Sequence, residues 1–453
     1  MHLPHEPLPS PSLACILSNS LVLRQIAPYL PTASLFALAA TSKYLRQLVH
    51  EAPDVIRHLD LSTVKSAIVS YEPLDSGGIS WRAERMDESL TEDEFYSGPL
   101  RGIFSKLERR HMLRNVHTMV LDGLSVPADL VREIIAEDRF NVRILSIRET
   151  KHLNERKLQQ VLRYAVRPSR PAGTPRIKGI YLFGPRDPAP APNTPVEKKK
   201  SRQSSPARGV TSSQGAQIGA EWNQKSSSAL NAALAKTDDK WYQSSGKMIA
   251  KRPSSDWAET LKACEGIIAF DAVLCRGPRH DPTTAFVQDP STPSLPHPAS
   301  YLNPAVATVA LGPAGCEACH SCPESPAVFG LTPSSWLPLL SPVPLHSSSI
   351  RAAQMPRTLD GSKAPPLYVR CEDCLKGRWC ERCHKWWGED CYTGSTVAQR
   401  TELQQTEFME DVESNGAKCV VPKQTTKVHM GLCVESCLVG EMEAGAGSNG
   451  MWG

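Results

Sequence analysis

The sequence has no uninterrupted apolar run of 18 residues, so nothing in it reads as a membrane-spanning helix. Charge of one sign is also scarce. Lys and Arg total 51 against 47 Asp and Glu, and the formal net charge of +4 does not by itself imply a nucleic-acid or membrane partner. Only 9 phenylalanines stand beside 38 prolines, so although 40% of the residues are apolar and can fill cores, much of the length reads as loop. The opening MHLPHEPLPSPSLAC carries Glu6 and prolines where a secretory leader would place a basic residue and then an apolar run. The expectation is a soluble, intracellular chain, in nucleus or cytoplasm or both. No G-x-S-x-G, P-loop or dinucleotide fingerprint is present, and Asp122, Glu149 and Asp271 read as solvated or capping carboxylates. No catalytic residue and no enzymatic activity are expected.

Cysteine is scarce in the first 315 residues and dense afterwards. Cys15, Cys264 and Cys275 stand alone and read as small apolar core residues, whereas eleven cysteines lie between Cys316 and Cys437. In a reducing compartment such clustering favours metal over disulfides. The densest stretch is residues 370–392, RCEDCLKGRWCERCHKWWGEDCY, with the pairs Cys371/Cys374 and Cys380/Cys383, then Cys391. Gly388 stands where the first cysteine of a third pair would fall. Upstream are Cys316, Cys319 and Cys322; downstream are Cys419 and the pair Cys433/Cys437.

A two-residue gap lets both sulfurs of one tight turn face one ion, and zinc takes four such ligands in a tetrahedron. The metal set read from sequence is Cys316, Cys319, Cys371, Cys374, Cys380, Cys383, Cys391, Cys433 and Cys437, with Cys322, His384 and Cys419 as further candidates. Two structural zinc ions are expected. Their connectivity stays open: Cys316/Cys319 could join one central pair, and Cys433/Cys437 or Cys391 the other, with the late pair or Cys419 as partners for Cys391. Redox Cys-x2-Cys chemistry would need a strand–helix setting that 371–383 lacks. The order of ligands does not fit a RING module, so direct ligase activity is not expected. Trp379, Trp386 and Trp387 read as a cover for the metal. Arg370, Lys376, Arg378, Arg382 and Lys385 make the stretch basic, yet no helix with finger-type His spacing accompanies them.

The remaining length divides into three. Residues 17–50 carry Leu21, Ile26, Leu30, Leu35, Leu38, Leu45 and Leu48 at helical spacing, with Ser20 and Ser42 as candidate caps, and predict three short helices. Pro28 predicts that one of them ends near Ala27. Runs at 58–62, 117–124, 142–149, 177–184 and 267–275 read as strands. They alternate with helices at 127–138 and 154–166, and with one that Asp256 and Glu259 open and Gly266 ends. Residues 185–250, rich in Pro, Ser and Ala, read as a disordered insertion. Lys198, Lys199, Lys200 and Arg202 form a basic cluster there that could serve as a nuclear localisation signal.

The run Ile26, Tyr29, Leu30, Pro31 continuing through Ser34 to Leu45 resembles the F-box, especially of fungal F-box proteins. The strand runs are similar to irregular leucine-rich repeats. The resemblance implies an α+β multi-domain chain: an F-box-like motif at 15–55, an irregular strand–helix solenoid at 56–310, a loop-rich zinc region at 311–440 and a flexible tail at 441–453. It also implies a non-catalytic substrate receptor of a cullin-based ubiquitin ligase. Leu21, Ile26, Leu30, Pro31, Leu35, Leu38, Leu45 and Leu48 would dock on a Skp-type adaptor bound to the cullin scaffold, and the rest would select a target protein. The alternative is a zinc-dependent nucleic-acid-binding or regulatory protein. A membrane partner is not expected.

Overall fold

The structure, a computed structural model, describes residues 13–68, 92–187, 247–249, 252–277, 279–280, 302–311, 315–321, 327–355, 367–388, 391 and 426–440. The basic cluster at 198–202, Cys322, Cys419 and the tail from 441 lie outside them, as does most of the proposed insertion.

Four short helices open the chain where three are expected: α1 (Leu13–Ser18), α2 (Ser20–Ile26), α3 (Thr32–Thr41) and α4 (Lys43–Glu51). Asn19, not Ser20, caps α2, its side-chain oxygen accepting from the N–H groups of Leu21 at 3.0 Å and Val22 at 3.4 Å. Ser42 caps α4 as expected, accepting from the Leu45 N–H at 3.1 Å. Pro28 ends α2 at Ile26 and sits at the start of a 3-10 turn, Ala27–Tyr29, where its missing N–H leaves no helical bond unmade.

The five strand runs all form, each shorter than its run: β1 (His58–Asp60), β2 (Thr118–Val120), β3 (Ile144–Ser146), β4 (Gly179–Tyr181) and, beyond a short β5 (Lys247–Met248), β6 (Ala269–Phe270). Apart from β5 they make one parallel sheet, in the order in which they occur along the chain. Between them run α5 (Glu92–Glu108), α6 (Ala128–Ala136), α7 (Glu155–Ala165) and α8 (Asp256–Cys264). Asn154 caps α7, and Pro127 takes the cap position of α6, one residue before its first turn. At α8, by contrast, Asp256 and Glu259 lie in the first turn, and Ser255 is the cap residue. The helix α5, with Pro99 inside it, has no counterpart in the sequence reading.

A parallel sheet must be covered on both faces, and the register shows how. Met119, Leu145, Ile180 and Phe270 align across the strands and face the core shared with Leu130, Leu158, Leu162 and Trp257 of the helices. Val120, Ile144 and Tyr181 point the other way and meet Leu339, Val343 and Ala353. These last belong to the proline-rich segment 327–355. The sheet holds it: Leu339 N–H donates to Phe270 O at 2.8 Å and the Tyr181 hydroxyl to Leu340 O at 2.9 Å. Gly179 permits the close approach, since a Cβ there would lie 2.8 Å from Ile350 Cδ1. Beneath the segment, buried Arg148 donates to Asp122 at 2.7 Å, Asp187 at 2.7 Å and the Ser341 hydroxyl at 2.7 Å. Asp271 accepts from the N–H groups of Leu182, Phe183 and Gly184. Both carboxylates are buried rather than solvated, and both bond the turn after a neighbouring strand, Asp122 accepting from the Arg148 N–H at 2.9 Å.

A second, antiparallel sheet links distant parts of the chain. Its middle strand β7 (Val309–Leu311) pairs with β5 on one side and with β8 (Tyr368–Arg370) on the other. From β8 the chain enters the cysteine-dense stretch through the single turn Glu372–Leu375. Among the described residues no helix is long and apolar enough to cross a membrane.

Candidate metal centre

Among the described residues three groups of sulfur and imidazole ligands assemble, where the sequence suggests two ions. In each, the ligand atoms lie within 4.8 Å of one another, so each group could hold a metal ion.

The first group is Cys380, Cys383, Cys433 and Cys437. Cys380 and Cys383 lie in a tight turn closed by the His384 N–H donating to Cys380 O at 2.8 Å. The hairpin of β9 (Val428–His429) and β10 (Leu432–Cys433) supplies Cys433, and the π turn Val434–Leu438 supplies Cys437. Glu381 N–H donates to Gly431 O at 2.8 Å, which holds the two turns face to face. The Cys383 and Cys433 sulfurs are 3.7 Å apart. A tetrahedron with metal–sulfur bonds of about 2.3 Å has edges of about 3.8 Å, whereas a disulfide would need about 2.05 Å. Backbone amides favour the thiolate form. Burial pushes the Cys380 thiol up, but N–H groups of Cys383, Cys433 and Arg382 outweigh it and bring it down to about 7. This pairing is one of those that the sequence left open.

The second group is Cys316, Cys319 and Cys391. The loop carrying the first two is held by Glu317, whose N–H donates to Trp386 O at 2.9 Å and whose carboxylate pairs with Lys385 at 2.7 Å. Cys391 therefore meets the early cysteines rather than Cys433 and Cys437. Gly388 does reach this group, though through its backbone: its N–H donates to Cys316 Sγ at 3.1 Å, beside the Ala318 N–H at 3.4 Å. Amides aimed at a sulfur in this way spread thiolate charge. The Cys319 thiol is brought down to about 7, chiefly by the Ser321 hydroxyl.

The third group contains two residues that the sequence reading missed, Cys275 and His280, together with Cys371. Cys275 is buried as expected of a core residue, yet its surroundings are Cys371 and Cys374 as well as Val273 and Ala307. The pair Cys371/Cys374 thus faces Cys275 and not Cys316/Cys319. The signal available was the Cys-x4-His step just after a strand; its partners lie about ninety residues away, beyond what local spacing reveals.

His384 joins none of the groups found among the described residues. It takes a positive φ of 59° and stacks on Trp379 with ring centroids 5.7 Å apart. Trp379, Trp386 and Trp387 are buried with Cys316, Cys380 and Cys433, so the indoles do cover the sulfurs. Arg370 and Arg378 are buried too, and Lys385 pairs with Glu317, which removes three of the five cations from any free basic surface.

Among the proposed docking residues, Leu21, Ile26 and Pro31 are exposed, Leu30, Leu38 and Leu48 are half-buried, and Leu35 and Leu45 lie in the core. Compared with known proteins, the chain matches no protein-family model and no curated protein.

Proposed function

We propose that the protein is a non-catalytic substrate receptor of a cullin-based ubiquitin ligase, with the N-terminal helices docking on a Skp-type adaptor. The observation that carries this reading is the exposure of large apolar side chains on the N-terminal helices. Leu21 is 72% exposed and Leu13 61%, and Ile16 and Ile26 are exposed as well, while Leu17, Leu23, Ala27, Leu35 and Leu45 anchor the same helices in the core. Exposed large apolar side chains gathered on short helices are the mark of a binding surface. In this reading Leu21, Ile26 and Pro31 touch the adaptor, and Leu35 and Leu45 hold the shape of the motif.

The parallel sheet, whose strands follow chain order with helices between them, supports a strand–helix repeat as the target-binding body. Zinc is the ion we assign to these groups, because it takes thiolate and imidazole ligands in a tetrahedron and no redox change is needed of it. The protein would work in the nucleus or cytoplasm. The nucleic-acid alternative finds less support, since Arg370 and Arg378 are buried.

The test is co-purification with a Skp-type adaptor. Wild type should retain the adaptor, and Leu21→Asp with Ile26→Asp should lose it while keeping its thermal midpoint, because both side chains already face solvent. Failure of wild type to bind, or unchanged binding by the variant, contradicts the proposal.

A further inference from the structure

We propose that Cys275, His280, Cys371 and Cys374 form one Cys3His metal centre that fastens the end of the parallel sheet to the cysteine-dense stretch. The inference rests on the zinc reading of the sulfur groups and adds a fourth ligand, Cys374, to the third of them.

The ligands arrive from two directions. Cys275 leaves β6 with its N–H bonded to Ala305 O at 2.8 Å, and the chain then turns so that the His280 N–H donates to Gly277 O at 2.9 Å. That turn brings the imidazole Nε2 to 3.1 Å from Cys371 Sγ. Metal–nitrogen and metal–sulfur bonds of about 2.0 and 2.3 Å would set this edge at about 3.5 Å, a small opening of the present contact. From the other side, Cys371 caps the turn Glu372–Leu375, accepting from the Cys374 N–H at 3.3 Å. The same amide-to-sulfur bond recurs in the first group, where the Cys437 N–H meets Cys433 Sγ at 3.4 Å.

Two observations place Cys374 in the centre. A Cβ at Gly277 would lie 2.4 Å from Cys374 Sγ and 3.5 Å from Cys275 Sγ, so the Cys374 sulfur rests directly on the Gly277 backbone, between the two ligand-bearing segments. Only glycine leaves room for it. The second observation is charge. Three thiolates around a divalent ion leave one negative charge, in a place where Cys275, Cys371 and Cys374 are all buried. The fully buried guanidinium of Arg378 donates to Cys374 Sγ at 3.5 Å and is held there by Cys374 O at 3.0 Å and Trp387 O at 3.0 Å. Buried Arg370, whose Cδ would lie 3.3 Å from a Cβ at Gly277, adds a second cation beside the same sulfurs, so the negative charge of the centre is compensated as burial of an ion requires.

The experiment counts zinc in the purified full chain and in His280→Ala, Cys374→Ser and His280→Cys. Each of the first two should hold one ion fewer than wild type. His280→Cys should keep the wild-type count. After cobalt substitution its visible bands should move to longer wavelength than those of wild type, because thiolate is a weaker-field ligand than imidazole. Wild-type zinc content in either His280→Ala or Cys374→Ser overturns the proposal, as does a cobalt spectrum unchanged in His280→Cys; the last two readouts stand even if His280→Ala fails to fold. A wild-type chain that holds no zinc defeats the underlying zinc reading as well, so the two failures are told apart.

Discussion

The parallel-sheet region and the cysteine-dense region are held together by different physics. In the sheet, Met119, Leu145, Ile180 and Phe270 lie in register over helices that bring Leu130, Leu158, Leu162 and Trp257, one continuous apolar core. In the other, strands of two or three residues and single turns enclose Trp379, Trp386, Trp387 and groups of sulfur ligands. Apolar burial stabilises the first by about 25 cal/mol for each Å² removed from water. The second has a smaller apolar cluster and little repeating structure, and under the zinc proposal its sulfur ligands supply the rest. The difference teaches that periodic patterns find the first kind of region and cysteine spacing finds the second, and that neither finds what joins them.

The comparison can be broken most strongly by removing metal. A structural zinc site can contribute about 10–16 kcal/mol to the folding of a small segment. Chelation should therefore open residues 367–388 and 426–440 to protease and leave the span 118–181 resistant; cleavage throughout would erase the distinction. Next in size is Arg148→Met in the sheet. It leaves buried Asp122 without its cation, a loss of about 3–5 kcal/mol that a denaturant midpoint would read, with zinc content unchanged. Smallest is Ser42→Ala, which removes the cap of α4 and should cost about 1 kcal/mol without affecting either region's markers.

Much of the sheet was legible because each strand run is short, apolar and bounded, and because Pro127 and Asn154 mark helix starts by local rules. The helix at 92–108 was not, since Gly98 and Pro99 interrupt its pattern and tertiary packing of Leu100, Phe104 and Leu107 overrides them. Nor was the segment bearing Leu339 and Val343, whose apolar residues have no period and gain meaning only against the face of Ile144 and Tyr181. In the sulfur groups, Cys380/Cys383 and Cys433/Cys437 were readable from spacing, and their pairing was among the options. Cys275 is the core residue its sequence suggests, but a lone cysteine gives no sign of the sulfurs it meets across the fold. His280 left no cue stronger than its step from Cys275.

Hydrogen exchange of the full chain, read by mass spectrometry before and after chelation, tests the division most directly. Amides in 376–388 and 426–440 should lose protection when metal is removed, while those of Met119, Leu145 and Ile180 keep theirs. Protection retained in both regions, or lost equally from both, would contradict it.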